Sequence, residues 1–207
     1  MARPMILDGQ PFVPVIVLDD AERAVPVAEA LRRGGIRCAE ITLRTPAGVE
    51  AIAALRDLPD FIVGAGTVLT PEDVDRVVDA GARFVVSPGL ADDVVERALA
   101  LGVGVVPGVA TATEVQRAVR LGLDRLKLFP AGPLGGLGLI RALAGPFPDV
   151  RFLPSGGVSA ANAAGYLADP NVFAVSGSWM ATRELIATGD VDAIERLSRE
   201  AVAAVSP

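Results

Sequence analysis

The stretch Arg125-Leu126-Lys127-Leu128-Phe129-Pro130 predicts a buried β-strand and its exit turn. Strands that are covered on both faces read as nearly continuous apolar runs, as in a parallel sheet flanked by helices. The run also holds the only lysine of the 207 residues, beside 18 arginines elsewhere. Burial disfavours the ammonium form, and a neutral amine attacks carbonyl carbons. The position of Lys127 therefore indicates Schiff-base chemistry, although a general bias toward arginine would by itself explain why lysine is scarce.

Short runs rich in Val and Ile alternate with longer stretches rich in Ala, Leu and Arg along the chain. The short runs predict strands and the longer stretches predict helices. The eight predicted strands are Val13–Val17, Cys38–Leu43, Phe61–Gly64, Phe84–Ser87, Val103–Pro107, Arg125–Phe129, Arg151–Pro154 and Val172–Ser176. The predicted helices lie near residues 20–33, 47–57, 71–80, 91–101, 112–121, 135–144, 159–168 and 190–205.

Several helix boundaries carry local signals. Thr70-Pro71 offers an N-cap followed by a proline in the first helical position, and Thr111 with Glu114 forms a capping-box pattern. Gly81, Gly102 and Gly122 each follow a predicted helix, where glycine suits the left-handed position after the last turn.

Eight β/α units with short connections predict a fold of the α/β class, a (β/α)8 TIM barrel. We expect a single domain over residues 1–207, with residues 1–12 as an N-terminal extension over one end of the barrel. An open doubly wound sheet is the alternative, and eight near-equal units without a G-x-G-x-x-G turn favour the closed form.

Composition excludes several function classes. The net charge is −6 and no basic cluster is present, which argues against a nucleic-acid partner. Histidine is absent, so Ser-His-Asp catalysis and histidine-ligated metal sites are excluded. The single cysteine, Cys38, is interpreted as a core residue and allows no disulfide within the chain, which predicts a cytoplasmic location.

Mean hydropathy is high, at +0.47, so a membrane span has to be considered. The longest uncharged stretches are interrupted by Gly and Pro, and neither is a continuous apolar span of bilayer length. We therefore expect no membrane partner.

Polar side chains occur on the second predicted strand, where a barrel places active-site groups near strand ends. Glu40, Thr42 and Arg44 alternate with Ile41 and Leu43, so the three polar residues are predicted to share one face. A carboxylate in apolar surroundings needs a partner. Two interpretations of Glu40 stay open: a catalytic group, or a structural ion pair with Arg44.

Small residues follow the last two predicted strands, as Ser155-Gly156-Gly157 and as Gly177-Ser178-Trp179. Such turns leave backbone N–H groups free beside a helix start, and barrels commonly bind phosphate after strands seven and eight. Together the two turns predict a phosphate site.

Six blocks, in this order, resemble one known family, the class I 2-keto-3-deoxy-6-phosphogluconate (KDPG) aldolases and 4-hydroxy-2-oxoglutarate (KHG) aldolases. The blocks are Glu40–Thr45, Gly64–Val68, Ser87–Gly89, Lys127–Ala131, Ser155–Gly157 and Gly177–Trp179. The resemblance implies a homotrimeric (β/α)8 lyase that needs neither metal nor cofactor. It also implies cleavage of KDPG to pyruvate and glyceraldehyde 3-phosphate, and of KHG to pyruvate and glyoxylate.

The resemblance assigns roles to individual residues. Lys127 matches the Schiff-base lysine and Glu40 the general acid/base. The remaining matches are to substrate-binding positions: Arg44 and Thr67 for the pyruvate carboxylate, Pro88 and Phe129 for apolar contacts to the pyruvyl unit, and Ser155, Gly156, Gly157, Gly177 and Ser178 for the phosphate end.

Departures from the family pattern leave the aldehyde side open. Ser176 stands where glycine is common, and Gly132 follows Ala131 where a glutamate is usual. The small-molecule substrate is then a phosphorylated six-carbon acid, hydroxyoxoglutarate or a non-phosphorylated sugar acid. Two other classes are a phosphosugar isomerase, in which Lys127 is only a charge partner, and a catalytically idle barrel serving as an oligomeric scaffold.

Overall fold

The computed structural model describes residues 6–205, which form nine strands and nine α-helices. The strands are β1 (Phe12–Ile16), β2 (Cys38–Thr42), β3 (Ile62–Gly66), β4 (Phe84–Val86), β5 (Gly104–Val106), β6 (Gly108–Val109), β7 (Arg125–Leu128), β8 (Arg151–Pro154) and β9 (Val175–Gly177). The helices are α1 (Ala24–Arg33), α2 (Gly48–Leu55), α3 (Pro71–Ala80), α4 (Asp92–Ala100), α5 (Ala112–Arg120), α6 (Leu137–Ala144), α7 (Ala163–Leu167), α8 (Arg183–Thr188) and α9 (Val191–Ala203).

The strands form two parallel sheets. One has the order β5-β4-β3-β2-β1-β9 and the other the order β6-β7-β8. Parallel bridges from Phe152 to Val172 and from Ser155 to Ser176 connect β8 to the β9 side of the larger sheet. At the other margin only Pro107 separates β5 from β6, and the Lys127 N–H donates to the Pro107 carbonyl at 2.9 Å. The parallel sheet is thus curled into at least a half-barrel.

Two hydrophobic clusters lie on opposite faces of the curled sheet. The larger one fills the space between the strands and the helices, and it includes Ala39, Ile41, Leu126 and Leu128. The smaller one we call the concave core; it consists of Leu7, Val13, Cys38, Phe84, Val86, Val106, Leu153 and Ala174. Successive side chains of a strand point to opposite faces of the sheet. A strand residue that lies between two members of the larger cluster therefore points to the concave face.

The capping signals in the sequence are confirmed. The Thr70 hydroxyl accepts from the Asp73 N–H at the start of α3, and both halves of the Thr111–Glu114 capping box are present at α5. Gly81 ends α3 in the left-handed conformation, with φ of 111°. Gly102 and Gly122 also have positive φ.

The structure corrects the predicted element list in three places. The predicted strand over 103–107 is present as β5, but a short strand that was not predicted, β6, follows it after Pro107, which has no N–H and marks the change of partner from β4 to β7. The last strand begins at Val175 rather than Val172, because Val172 and Phe173 pair with Phe152 of β8. Helix α8 was not predicted, although the Thr182 N-cap and the left-handed Gly189 mark its two ends.

Helix α7 is also shorter than predicted. It begins at Ala163 rather than near Ser159, because the Asn162 side chain accepts from the Ser159 N–H and holds residues 159–162 in turns. Only five residues then remain helical.

Part of the predicted N-terminal extension is described. Residues 1–5 lie outside the described part of the chain, whereas Leu7 is fully buried in the concave core and β1 begins at Phe12. Across residues 6–205, no helix is both long and apolar enough to cross a membrane.

Candidate active site

Lys127 and Glu40 meet on the concave face. Lys127 Nζ lies 3.3 Å from Glu40 Oε1 and 3.4 Å from Oε2. The two side chains are only 5% and 1% exposed. Each charge is compensated by the other, because both side chains are almost completely removed from water. The pair stands apart from the other ion pairs of the described residues, in which at least one side chain is more exposed.

Strand alternation explains why these two residues meet. Leu126 and Leu128 pack toward the helices, so Lys127 between them points to the concave face. Ala39 and Ile41 do the same for Glu40. The apolar neighbours that made the lysine conspicuous in the sequence are thus the residues that turn it inward.

Gly66 makes room for the Glu40 carboxylate. A Cβ at this position would lie 2.6 Å from Glu40 Cδ and would overlap Oε1 and Cγ as well. Gly66 is the last residue of β3, directly paired with Thr42 of β2. This role of Gly66 was not predicted, and its one signal in the sequence is a glycine at a strand end, beside a strand that carries a buried carboxylate.

Arg44 does not share a strand face with Glu40, which corrects the prediction. Strand β2 ends at Thr42, and Leu43–Arg44 form a turn at its carboxyl end. Arg44 is exposed and, within residues 6–205, has no ion-pair partner, so the structural pair of Glu40 with Arg44 is not formed. Thr42 instead donates its hydroxyl to the Ile16 carbonyl of β1, 3.1 Å away.

Thr67 and Pro88 follow β3 and β4 at the same edge of the sheet. Thr67 adopts a positive φ of 59°, which is uncommon for a β-branched residue and marks a constrained turn. Pro88 is exposed, and its carbonyl approaches Gly108 so closely that a Cβ there would overlap it. The Ser87 hydroxyl stabilises this turn by donating a hydrogen bond to the Gly89 carbonyl at 2.7 Å.

Phe129 lies at the exit of β7. Its ring centroid is 5.5 Å from Lys127 Nζ, within the range of a cation–π contact. The peptide bond between Phe129 and Pro130 is cis. Phe129 therefore forms part of the immediate surroundings of the lysine.

The glycine-rich turn after β8 packs on this exit. The Ala131 and Gly132 N–H groups each donate at 2.8 Å, to the carbonyls of Ser155 and Gly156 respectively. Gly156 and Gly157 have φ of 84° and 86°, values that few other residues adopt. Within the described residues, neither glycine donates its own N–H to a protein acceptor.

The turn after β9 adjoins the one after β8. Ser155 and Ser176 form a parallel bridge, and Gly177 is in close contact with the Trp179 ring. Ser178 is exposed, and its N–H also lacks a protein acceptor in the described part of the chain. Two neighbouring turns thus present free N–H groups, which is a geometry that binds anions.

Ser176, which departs from the family pattern in the sequence, has a buried hydroxyl that is unpaired in the described part of the chain. It is fully buried, and its hydroxyl has no hydrogen-bond partner within residues 6–205. We have no physical account of this unpaired hydroxyl.

No metal centre accompanies these groups in the described residues. Over residues 6–205 there is no cluster of three or more His, Cys, Asp or Glu side chains that would hold an ion. Burial raises the pKa of the Cys38 thiol to about 12, so Cys38 is a protonated core residue rather than a nucleophile.

Known proteins with the same sequence features are aldolases. The family model described as KDPG and KHG aldolase matches residues 5–197. The chain is 48% identical to a 2-dehydro-3-deoxy-phosphogluconate aldolase of Treponema pallidum, over 91% of this chain and 90% of that protein. It is 45% identical to the KHG/KDPG aldolase of Escherichia coli strain K12, over 95% and 93%.

A solved aldolase structure has the same fold as this chain. The KDPG aldolase of Legionella pneumophila, with pyruvate captured as a covalent carbinolamine intermediate, superposes with a TM-score of 0.90 at 40% identity and covers 93% of this chain and 94% of that one. The chain belongs to the KDPG and KHG aldolase family.

Proposed function

We propose that this chain is a class I aldolase, a lyase that cleaves KDPG to pyruvate and glyceraldehyde 3-phosphate through a Schiff base on Lys127. The carrying observation is the buried contact of 3.3 Å between Lys127 Nζ and Glu40 Oε1. Family membership supports the reaction, and the E. coli relative named KHG/KDPG aldolase supports cleavage of KHG to pyruvate and glyoxylate as a second activity.

Imine formation begins with a proton transfer. Glu40 is placed to take a proton from the Lys127 ammonium, which leaves a neutral amine to attack the C2 ketone. Glu40 returns this proton to the ketone oxygen as the carbinolamine forms, which restores the carboxylate, and the proton that the attacking nitrogen loses goes to the departing hydroxyl. Loss of water then gives an iminium ion that acts as an electron sink.

Cleavage uses the same carboxylate. Glu40 accepts the C4 hydroxyl proton, the C3–C4 bond breaks, and its electron pair moves to the iminium nitrogen. The aldehyde leaves while pyruvate remains as an enamine on Lys127. Protonation at C3 and addition of water at C2 release pyruvate and restore the amine.

The turns at the strand ends orient the substrate. We assign the pyruvate carboxylate to Arg44 and Thr67, because the Arg44 guanidinium is exposed and its planar fork suits two carboxylate oxygens. Pro88 and Phe129 contact the pyruvyl unit. The free N–H groups of Gly156, Gly157 and Ser178 bind the phosphate at the far end, with Ser155 and Gly177 beside them in the same two turns.

The remaining architecture follows the family expectation. We infer one closed (β/α)8 barrel in a single domain, supported by the bridges from β8 to the β9 side and by the chain continuing from β5 into β6. We also infer a homotrimer, a cytoplasmic location consistent with the single unpaired cysteine, and catalysis without metal or cofactor. A mass near three times 21.3 kDa in native mass spectrometry tests the trimer.

Borohydride trapping tests the lysine. Incubation with pyruvate and borohydride is expected to add a stable pyruvyl mass to the peptide that contains Lys127. The Lys127→Arg variant retains the charge but cannot form the imine, so it should show neither adduct nor cleavage. Isomerisation of a phosphorylated sugar that survives in Lys127→Arg would favour a phosphosugar isomerase, and an assembled protein without any adduct would favour an idle scaffold.

An aldehyde panel tests the substrate. We expect pyruvate to condense with glyceraldehyde 3-phosphate much faster than with unphosphorylated glyceraldehyde, because only the former uses the anion-binding turns. Equal rates would instead indicate an aldolase for a non-phosphorylated sugar acid.

A further inference from the structure

A second cavity lies at the opposite edge of the sheet from Lys127. Its volume is about 350 Å³, and it is lined by the segments that lead into β4, β5 and β7. The charged lining residues are Arg83, Asp124 and Arg125. Its apolar side chains are Ile6, Leu99, Val103, Val105 and Leu123.

The cations of this cavity are incompletely paired. Arg83 is exposed and has no ion-pair partner within residues 6–205. Arg125 lies 3.4 Å from Asp124 and 3.5 Å from Asp8, longer than the 2.7–2.9 Å typical of charge-assisted hydrogen bonds. Its Nε is buried without an acceptor in the described part of the chain. Asp124 and Asp8 both lie beside Arg125, so Arg83 is the cation of the cavity lining that has no ion-pair partner in the described part of the chain.

The cavity is separate from the catalytic site. Arg125 and Lys127 share a face of β7, but the concave core, including Phe84, Val106 and Leu153, fills the same side of the sheet around them. A ligand here would therefore not overlap a substrate bound to Lys127.

The size and the lining together suggest a ligand class. The cavity volume falls within the range of about 300–1,000 Å³ of small-molecule sites, and its lining combines apolar side chains with a few charged groups. We propose that this cavity binds a small organic monoanion, with its anionic head at Arg83 and Arg125 and its apolar body against Leu99 and Leu123. The alternative is that Arg83 only compensates the negative end of the α3 helix dipole, since α3 ends two residues earlier at Gly81.

Fluorescence titration of the full chain with 8-anilinonaphthalene-1-sulfonate, which joins a sulfonate to an aromatic body, tests the proposal. We expect one bound dye per chain. Hexanoate should displace it and 1-hexanol at the same concentration should not. Saturating pyruvate should leave the signal unchanged.

Matched variants locate the dye. Leu99→Glu places a negative charge in the wall and should weaken binding at least tenfold, whereas Leu101→Glu, equally exposed at 38% but outside the cavity, should not. Arg83→Gln should also weaken binding at least tenfold, compared with Arg120→Gln on the exposed face of α5. Equal affinities across each pair, or loss of the signal with pyruvate, would overturn the proposal.

Discussion

At the scale of single residues, Lys127 and Glu40 depend on each other for burial. Either charge alone would be uncompensated, because both side chains are almost completely removed from water. The sequence identified both residues from their apolar neighbours, and barrel geometry predicted that Lys127 faces Glu40, but an ion pair of Glu40 with Arg44 stayed an alternative. That choice depends on where β2 ends, and the residue at which a strand ends is not coded by hydrophobic pattern alone.

A double-mutant cycle measures this dependence. Lys127→Met should destabilise the fold by about 3–5 kcal/mol, because it leaves a buried carboxylate unpaired. Adding Glu40→Gln should recover most of that loss. Urea unfolding of the four proteins gives the coupling. The exposed pair Arg196 and Glu200 serves as the control and should show little coupling. Simple additivity at Lys127 and Glu40 would contradict mutual dependence.

The close approach of Gly66 to Glu40 gives a second prediction at this scale. Gly66→Ala should reduce cleavage about 100-fold or more, because displacing a catalytic group by an ångström has effects of that size. Gly138→Ala is the matched control. It lies on helix α6 with nothing within 4 Å of its added Cβ, and should raise stability by about 0.5–1 kcal/mol with activity unchanged. Normal steady-state kinetics in Gly66→Ala would contradict the proposed packing.

At the scale of elements, hydrophobic pattern and capping residues predicted most strands and helices. They did not predict where the chain leaves one neighbouring strand and pairs with another. Pro107 signals a break in a strand, but only the position of β7 shows that the chain changes partner there. Val172 and Phe173 have the composition of a strand, yet they pair with β8 before β9 begins. These features depend on contacts between segments that are distant in sequence.

Asp169 connects α6 to the segment before β9 through hydrogen bonds. It accepts from Arg141 Nε at 2.7 Å and from the backbone and side chain of Asn171. The hydrogen bond from Arg141 is the main cause that holds the Asp169 pKa below its usual range, and those from Asn171 add to it, while burial opposes them. The stabilisation is therefore complete above pH ~4, where the unfolded carboxyl ionises, and is lost as pH falls through the lower folded pKa.

Asp169→Asn should accordingly be about 1–2 kcal/mol less stable at pH 7, with a smaller decrease in stability on acidification. Urea unfolding at pH 7 and pH 3 measures both effects. Asp149→Asn, at an exposed position, is the control. A difference between Asp169→Asn and the parent that is equally large at both pH values would show that the carboxylate charge is not involved.

At the scale of the whole molecule, the curled sheet has two chemically different edges. The carboxyl edge carries the lysine, the carboxylate and the two turns with free N–H groups, and the amino edge carries the second cavity. Parallel strands produce this division automatically, since all their carboxyl ends meet at one edge. The division was predictable from the alternating elements, whereas the second cavity was not, because its lining comes from several segments that are distant in sequence.

The concave core gives a prediction at the same scale. Cys38 lies inside it, fully buried and with its thiol donating to the Phe12 carbonyl at 3.1 Å. Since burial raises the pKa of Cys38 to about 12, a disulfide reagent at pH 8 should react with the native protein only as fast as the core opens. Labelling should become immediate in denaturant. Rapid labelling under native conditions would show that the concave face is open to solvent.

The single lysine has a further consequence for proteolysis. A lysine-specific endoprotease has one possible cut in this chain, after Lys127, which yields residues 1–127 and 128–207. That bond lies within β7, inside the candidate active site, so the native fold protects it. The appearance of the two fragments would therefore report opening of that one strand, and ligands that occupy the lysine should slow it in proportion to their affinity.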